Sequence, residues 1–345
     1  MPIASATTSN LQLCFNSAGN LTAMGMAVDN GINCFRTDIG INSQYGSQYI
    51  SATSGMGAQW LGILDYATVN GLNWTLSDWN ASVSAAISQY PEIHAWEIWN
   101  EPDYFRSAYQ DWNATHYYYM MRSASTIIKS KYPNDTVVCF GGAAIHAITG
   151  ANHTVDSEYQ FYKQAWDDGA SQYCDAISIH AYGDGGQYNF STLGYDSNGL
   201  TLAGEWGYAL NLYENLTHKP IWVTEIGYEA GNLTAQDIQQ PKFMEQSLNL
   251  LSSYPFVKRI YWFQLANYPT YPWGLIEMPG MQLNPAWYIY INFSQSGVPA
   301  GTKAITSNTS TSAKSTTTTI EQQPRPSQSL WDRIVQFFSS LLRHL

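Results

Sequence analysis

Short apolar runs alternate along the chain with longer stretches in which apolar residues recur at helical spacing, and polar loops separate the two. The apolar runs fall at 11–15, 32–39, 72–76, 95–99, 136–140, 176–180, 221–224 and 259–263. They are brief and rich in β-branched and aromatic residues, the pattern of parallel strands covered on both faces. The stretches between them read as crossover helices. One covers 116–131, ended by Tyr132-Pro133 because proline disfavours helix in the residue before it. Eight strands, each followed by a helical stretch, match the closure number of the (β/α)8 barrel, an α/β fold of typically about 250 residues. A doubly wound open sheet is the rival, and the lack of a Gly-x-Gly-x-x-Gly after the first strand counts against it.

The rhythm stops near residue 300. Between 301 and 320, 12 of 20 residues are Ser or Thr, and Pro324 and Pro326 follow. Such a stretch cannot bury apolar area, so 301–328 is expected to be a flexible linker that could carry O-linked sugars. In 329–345, Leu330, Ile334, Phe337, Phe338, Leu341 and Leu345 share one helical face, with Arg333, Gln336, Ser340 and Arg343 largely opposite. Ser329 suits its N-cap and Asp332 its first turn. A bilayer span needs about 20 mostly apolar residues, which this tail does not supply. It is expected either to lie on a membrane surface or dock a partner, or to fold back on a barrel made by residues 1–300.

Composition narrows the partners. Of 345 residues 45% are apolar, which excludes wholesale disorder, while 12% are charged and 25 Tyr and 13 Trp are present. A formal charge of -11 with 15 Lys and Arg argues against a nucleic-acid binder, which needs a basic face. Little charge and many amphipathic rings fit a neutral, polar partner such as carbohydrate. Residues 1–300 hold 10 basic and 24 acidic side chains and the remainder 5 and 2, so a basic tail could tether an acidic body to an anionic surface.

Eleven Asn-x-Ser/Thr sequons occur, at Asn20, Asn73, Asn80, Asn113, Asn134, Asn152, Asn189, Asn215, Asn232, Asn292 and Asn308. Chance predicts roughly four at this composition, and the excess favours an exported, glycosylated chain at the cell surface or outside the cell. The first residues, Met1-Pro2-Ile3-Ala4-Ser5-Ala6, show neither a basic segment nor a long apolar one, so the start is trimmed or misplaced, or export takes another route. Cys14 could pair with Cys34 and Cys139 with Cys174, but four cysteines allow three pairings, and buried free thiols are the alternative. No Cys/His spacing suggests zinc.

Two glutamates carry the candidate chemistry. Glu101 lies in Trp99-Asn100-Glu101-Pro102 at the end of the fourth strand, and Glu225 in Val223-Thr224-Glu225-Ile226 at the end of the seventh. Barrel active sites form at the carboxyl ends of strands, so both carboxylates would meet across one mouth. Such a pair suits glycoside cleavage, one group protonating the leaving oxygen while the other attacks the sugar.

These motifs resemble the signature of glycoside hydrolase clan A, the retaining (β/α)8 glycosidases, and in particular its family 39-like and cellulase-like members. The likeness extends through 117–142, 175–183, 259–263, 273–276 and 284–288, and covers about 11–295. The resemblance implies Glu101 as general acid/base and Glu225 as nucleophile. It further implies that Asn100 contacts the sugar 2-hydroxyl, Arg36 orients Glu225, His180 and Tyr182 line the pocket, and Trp262 forms a platform under the sugar. Glu97 is expected to support Arg36 or the pocket floor. Asp38, Asp78 and Asp103 are further candidates for sugar contacts, and Trp79, Trp99 and Trp273 for platforms. Gly141-Gly142 and Gly185-Gly186 read as turns. The expected protein is a monomeric retaining glycosidase acting on a β-linked poly- or oligosaccharide, needing no metal and no organic cofactor. The alternatives are a transglycosylase sharing the covalent intermediate, and a catalytically silent glycan-binding or surface-structural protein displayed on a stalk.

Overall fold

The computed structural model describes residues 11–16, 19–40, 47–69, 74–103, 112–142, 155–182, 202–228, 239–267 and 272–296. The expected linker and helical tail, and Gly185-Gly186, lie outside the described residues. Eight strands close into a barrel in chain order: β1 (Gln12–Asn16), β2 (Cys34–Asp38), β3 (Gln59–Leu64), β4 (Ala95–Ile98), β5 (Thr136–Gly142), β6 (Ala176–His180), β7 (Ile221–Ile226) and β8 (Val257–Trp262). All neighbours are parallel, and β8 closes on β1 from Gln12 opposite Arg259 to Phe15 opposite Trp262. The helices are α1 (Leu21–Asp29), α2 (Ser47–Ser54), α3 (Tyr66–Val69), α4 (Leu76–Gln89), α5 (Ala114–Lys131), α6 (Val155–Asp167), α7 (Leu202–Thr217), α8 (Gln239–Ser252) and α9 (Pro285–Ser296), with a hairpin of β9 (Ile276–Glu277) and β10 (Gln282–Leu283) before the last. This is the (β/α)8 barrel that the hydrophobic pattern predicts. No described helix is long and apolar enough to cross a membrane.

One strand lies elsewhere than expected. The third is Gln59–Leu64, whereas Thr75, within the expected strand at 72–76, is the N-cap of α4 and forms a reciprocal capping box with Asp78. Gly62 disguises the true strand. A Cβ there would sit 2.9 Å from Ile39 Cγ1 and 3.1 Å from Trp96, so the close contact requires a residue that otherwise reads as a strand breaker. Gly141-Gly142 are not a separate turn but the end of β5, where the register with β6 shifts.

Side-chain alternation sets the barrel interior. Cys14, Cys34, Leu61, Ala95, Val138, Ala176, Trp222 and Tyr261, one from each strand, form an inner apolar cluster. Outward residues such as Phe15, Phe35, Trp60 and Trp96 join the larger core. A disulfide joins Cys14 to Cys34 inside the barrel, with their Cα atoms 4.8 Å apart, and a second joins Cys139 to Cys174 at 5.7 Å. Asn20 and Asn113 cap α1 and α5, accepting from Ala23 N at 3.0 Å and His116 N at 2.9 Å, so two of the sequons also serve as helix starts.

Candidate active site

Two residues beyond the apolar cluster, along their own strands, Asn16, Arg36, Glu97 and Thr224 bring polarity to the barrel interior. Arg36, 2% exposed, is their hub. Its Nε donates to Glu97 Oε2 at 2.5 Å, Nη1 to Asn16 Oδ1 at 2.9 Å and Glu225 Oε1 at 2.6 Å, and Nη2 to Asn100 Oδ1 at 2.9 Å. Thr224 Oγ1 donates to the other oxygen of Glu97 at 3.0 Å, and Asn16 Nδ2 donates to the Thr224 carbonyl. Burial opposes the guanidinium charge, but the fields and hydrogen bonds of Glu97 and Glu225 more than reverse this, raising its pKa above the ordinary arginine value. Arg36 therefore stays a cation that fixes Glu225 from below. Because it can only donate, it also turns Asn100 so that the amide oxygen faces inward and the amide nitrogen faces away.

The strand ends converge above this hub. Tyr182 donates to Glu225 Oε2 at 2.9 Å, so each Glu225 oxygen has its own donor. His180 Nδ1 lies 2.8 Å from Glu101 Oε1 and 3.7 Å from Glu225 Oε2, bridging the carboxyls. Its Nε2 faces Arg36 Nη2 at 3.5 Å, and a cationic donor on that side assigns the ring proton to Nδ1. Burial, then the charge of Arg36, lowers the His180 pKa well below its ordinary value, so the ring is neutral. Glu101 moves the other way. Burial first, then the charges of Glu225 and Asp103, hold its proton well above the usual carboxylate range against the opposing pull of Arg36. One ligand-capable atom from each of Glu101, His180 and Glu225 lies within 4.8 Å of the others, the one such group among the described residues that could hold a metal ion. The proton on His180 Nδ1, the nitrogen facing both carboxyls, makes that atom a donor to Glu101 rather than a ligand.

The backbone that presents Glu101 is unusual. Trp99 (φ 71°) and Glu101 (φ 49°) are both left-handed, a conformation that costs L-residues on the order of 1–3 kcal/mol each. Packing offsets the cost: Trp99 is buried against Trp74, Trp79 and Trp112, and the Glu101 N–H donates to the Gly141 carbonyl at 2.9 Å. Trp112 Nε1 donates to the Pro102 carbonyl at 2.6 Å and ties down the far side of the turn.

Of the residues singled out in the sequence, Arg36, Asn100, Glu101, His180, Tyr182 and Glu225 come together here. Trp262 does not. It is 1% exposed and packs on Phe243 of α8 and Tyr290 of α9, in the layer between barrel and helices. Tyr261 faces the interior and Trp262 faces out, so the next inward position belongs to partly exposed Phe263, whose ring meets Tyr182 and Trp273 edge-on at 6.4 and 6.2 Å. Trp79 and Trp99 are wholly buried and brace the Glu101 turn, Asp78 caps α4, and Asp103 is buried beneath Tyr162. Trp273 is buried but meets Tyr182 edge-on at 5.8 Å. Asp38 neighbours Asp65 near the rim, and burial raises the pKa of both. Asn16 is the hub residue that the sequence reading lacks; its signal was a polar residue directly after the first apolar run.

The family described as "Glycosyl hydrolase catalytic core" matches residues 68–290. No curated protein matches the chain by sequence. Among solved structures, an endo-β-1,3-glucanase of glycoside hydrolase family 128 from Amycolatopsis mediterranei, a mutant in complex with laminaripentaose, is 17% identical, with 81% of this chain and 98% of that one covered at a TM-score of 0.53. A second family 128 endo-β-1,3-glucanase, from Sorangium cellulosum, is 16% identical over 81% and 97% of the chains at 0.57. A psychrophilic family 10 endo-β-1,4-xylanase is 13% identical over 82% and 96% at 0.57. At such identities the likeness is one of fold.

Proposed function

The chain belongs to the glycosyl hydrolase catalytic-core family, and from that premise we propose that it is a retaining β-glycosidase with Glu225 as nucleophile and Glu101 as general acid/base. The observation that carries the reading is that carboxylate oxygens of Glu101 and Glu225 come within 4.8 Å of each other. Retention calls for carboxyl groups about 5–5.5 Å apart, whereas inversion needs about 6.5–9.5 Å to admit a water between sugar and base. Glu225, steadied by Arg36 and Tyr182, attacks the anomeric carbon while Glu101 gives its proton to the departing glycosidic oxygen. The C–O bond to the leaving group breaks as the ester to Glu225 forms. Esterification removes the Glu225 charge, Glu101 becomes the base that deprotonates water, and hydrolysis of the ester restores both groups. Asn100, its amide nitrogen turned away from Arg36, would donate to a sugar hydroxyl, and Phe263 replaces Trp262 as the candidate ring platform.

The substrate proposed is a β-linked poly- or oligosaccharide, and β-1,3-glucan heads the panel with xylan and mannan beside it. Wild type is expected to release reducing ends from one of these, and Glu225→Ala to lose at least about a thousandfold in rate, on the order of 4 kcal/mol in barrier. Equal rates in the two proteins would remove Glu225 from the role. We also propose export and attachment through the basic tail. Exposed sequon residues Asn113, Asn134, Asn215 and Asn292 and the two disulfides support the compartment. Glycosidase-sensitive mass on the native protein tests that part, and an unmodified mass would count against it.

A further inference from the structure

Beside Glu101 lies a second set of buried polar side chains that the two displacement steps do not use. Asp103, two residues on in the same turn, is 1% exposed, and Glu158 of α6 is 5% exposed. Each has a tyrosine. Tyr162 of α6 donates to Asp103 Oδ1 at 2.6 Å, and Tyr213 of α7 donates to Glu158 Oε1 at 2.6 Å. Glu158 and Tyr162 both meet the end of β5 that holds Glu101, Tyr162 donating to the Phe140 carbonyl at 3.3 Å. The Gly141 carbonyl accepts the Glu101 N–H, and Glu158 Oε1 occupies the space where a Cβ on Gly142 would fall. Gly142 is thus the gap into which Glu158 fits. A buried carboxylate is costly unless donors face it, and both phenols remain donors because burial raises their pKa values well above the ordinary range.

We propose that Asp103 and Glu158, each seated by a tyrosine hydroxyl, are positioning residues that hold Glu101 in its proton-donating form. The inference rests on Glu101 being the acid/base. The groups facing Glu101 are Glu225 from β7, Arg36 from β2, His180 from β6, Asp103 from its own turn and Glu158 from α6. Burial disfavours its charge most, Glu225 next and Asp103 third; Arg36 opposes, and Glu158 adds to the rise. The distinction between Glu225 and the pair matters during turnover. Esterification erases the Glu225 charge, whereas Asp103 and Glu158 persist, so in the second step they keep Glu101 basic enough to accept a proton from water.

The test is a direct titration of the Glu101 carboxyl by carbon-13 NMR of glutamate-labelled protein, with the resonance assigned through Glu101→Gln. Asp103→Asn keeps an acceptor for Tyr162 and removes the charge, and should lower the Glu101 midpoint by about one pH unit. Glu158→Gln should lower it less. Tyr162→Phe, which leaves Asp103 without that donor, should move it the same way and serves if Asp103→Asn does not fold. In the hydrolytic pH profile the alkaline limb should fall with the midpoint while the acid limb and KM hold. A purely structural role would lower activity at all pH values with both limbs fixed, and an unchanged midpoint in a folded variant overturns the proposal. A protein in which the midpoint shifts but no glycan is cleaved refutes the glycosidase reading alone, since the titration needs no turnover.

Discussion

At Glu101 burial and ionisation oppose each other. Its carboxyl is buried with its proton held above the usual range, so protonation favours the folded state. That contribution is complete below the unfolded value of about 4.3 and is lost as pH rises through the raised folded value. Glu101→Gln keeps an acceptor for His180 and cannot ionise. It should therefore melt a few degrees above wild type at pH 8, with the difference vanishing towards pH 4. A difference that is constant with pH would contradict the assignment of the raised proton affinity to Glu101. The meeting of the two glutamates was legible in the sequence because each follows an apolar run in a distinctive context. Trp262 misled by one position, since along a strand a shift of one residue moves the side chain from the pocket to the outer wall. Asp103 was legible only as a candidate sugar contact, because Tyr162, which donates to it, comes from α6 far along the chain.

Among the elements, the third strand shows what a hydrophobic pattern loses. Gln59–Leu64 has apolar residues at most of its positions, but Gly62 and the nearby Gly55 and Gly57 make the region read as a loop. The glycine is a packing requirement: Ile39 and Trp96 occupy the space a side chain would need. Gly62→Ala should cost about 1–3 kcal/mol in urea unfolding, the range for overpacking a dense core, with KM little changed. A cost within experimental error of zero would mean that the neighbours yield freely. The helix expected at 116–131 was easier to read, since Tyr132-Pro133 marks its end, and it is observed as Ala114–Lys131.

For the whole molecule, the ring of eight strands brings residues from distant parts of the chain to one mouth. Arg36 and Glu225 are 189 residues apart in sequence and 2.6 Å apart in space. The eight-strand count and the strand-end placement of the glutamates were legible before any coordinates. The disulfide pairing was not, because spacing leaves three pairings open, whereas the barrel sets Cys14 and Cys34 on adjacent strands facing the interior. The low charge and abundant aromatic residues likewise pointed to a neutral, polar partner without identifying the sugar or linkage. Double displacement on a β-glycoside is the chemistry proposed for two carboxyls this close. Its most direct test is proton NMR of the first product formed from the best β-linked substrate, read before mutarotation. With double displacement the β-anomer appears first and converts slowly to the equilibrium mixture; an α-anomer appearing first would mean inversion and contradict it.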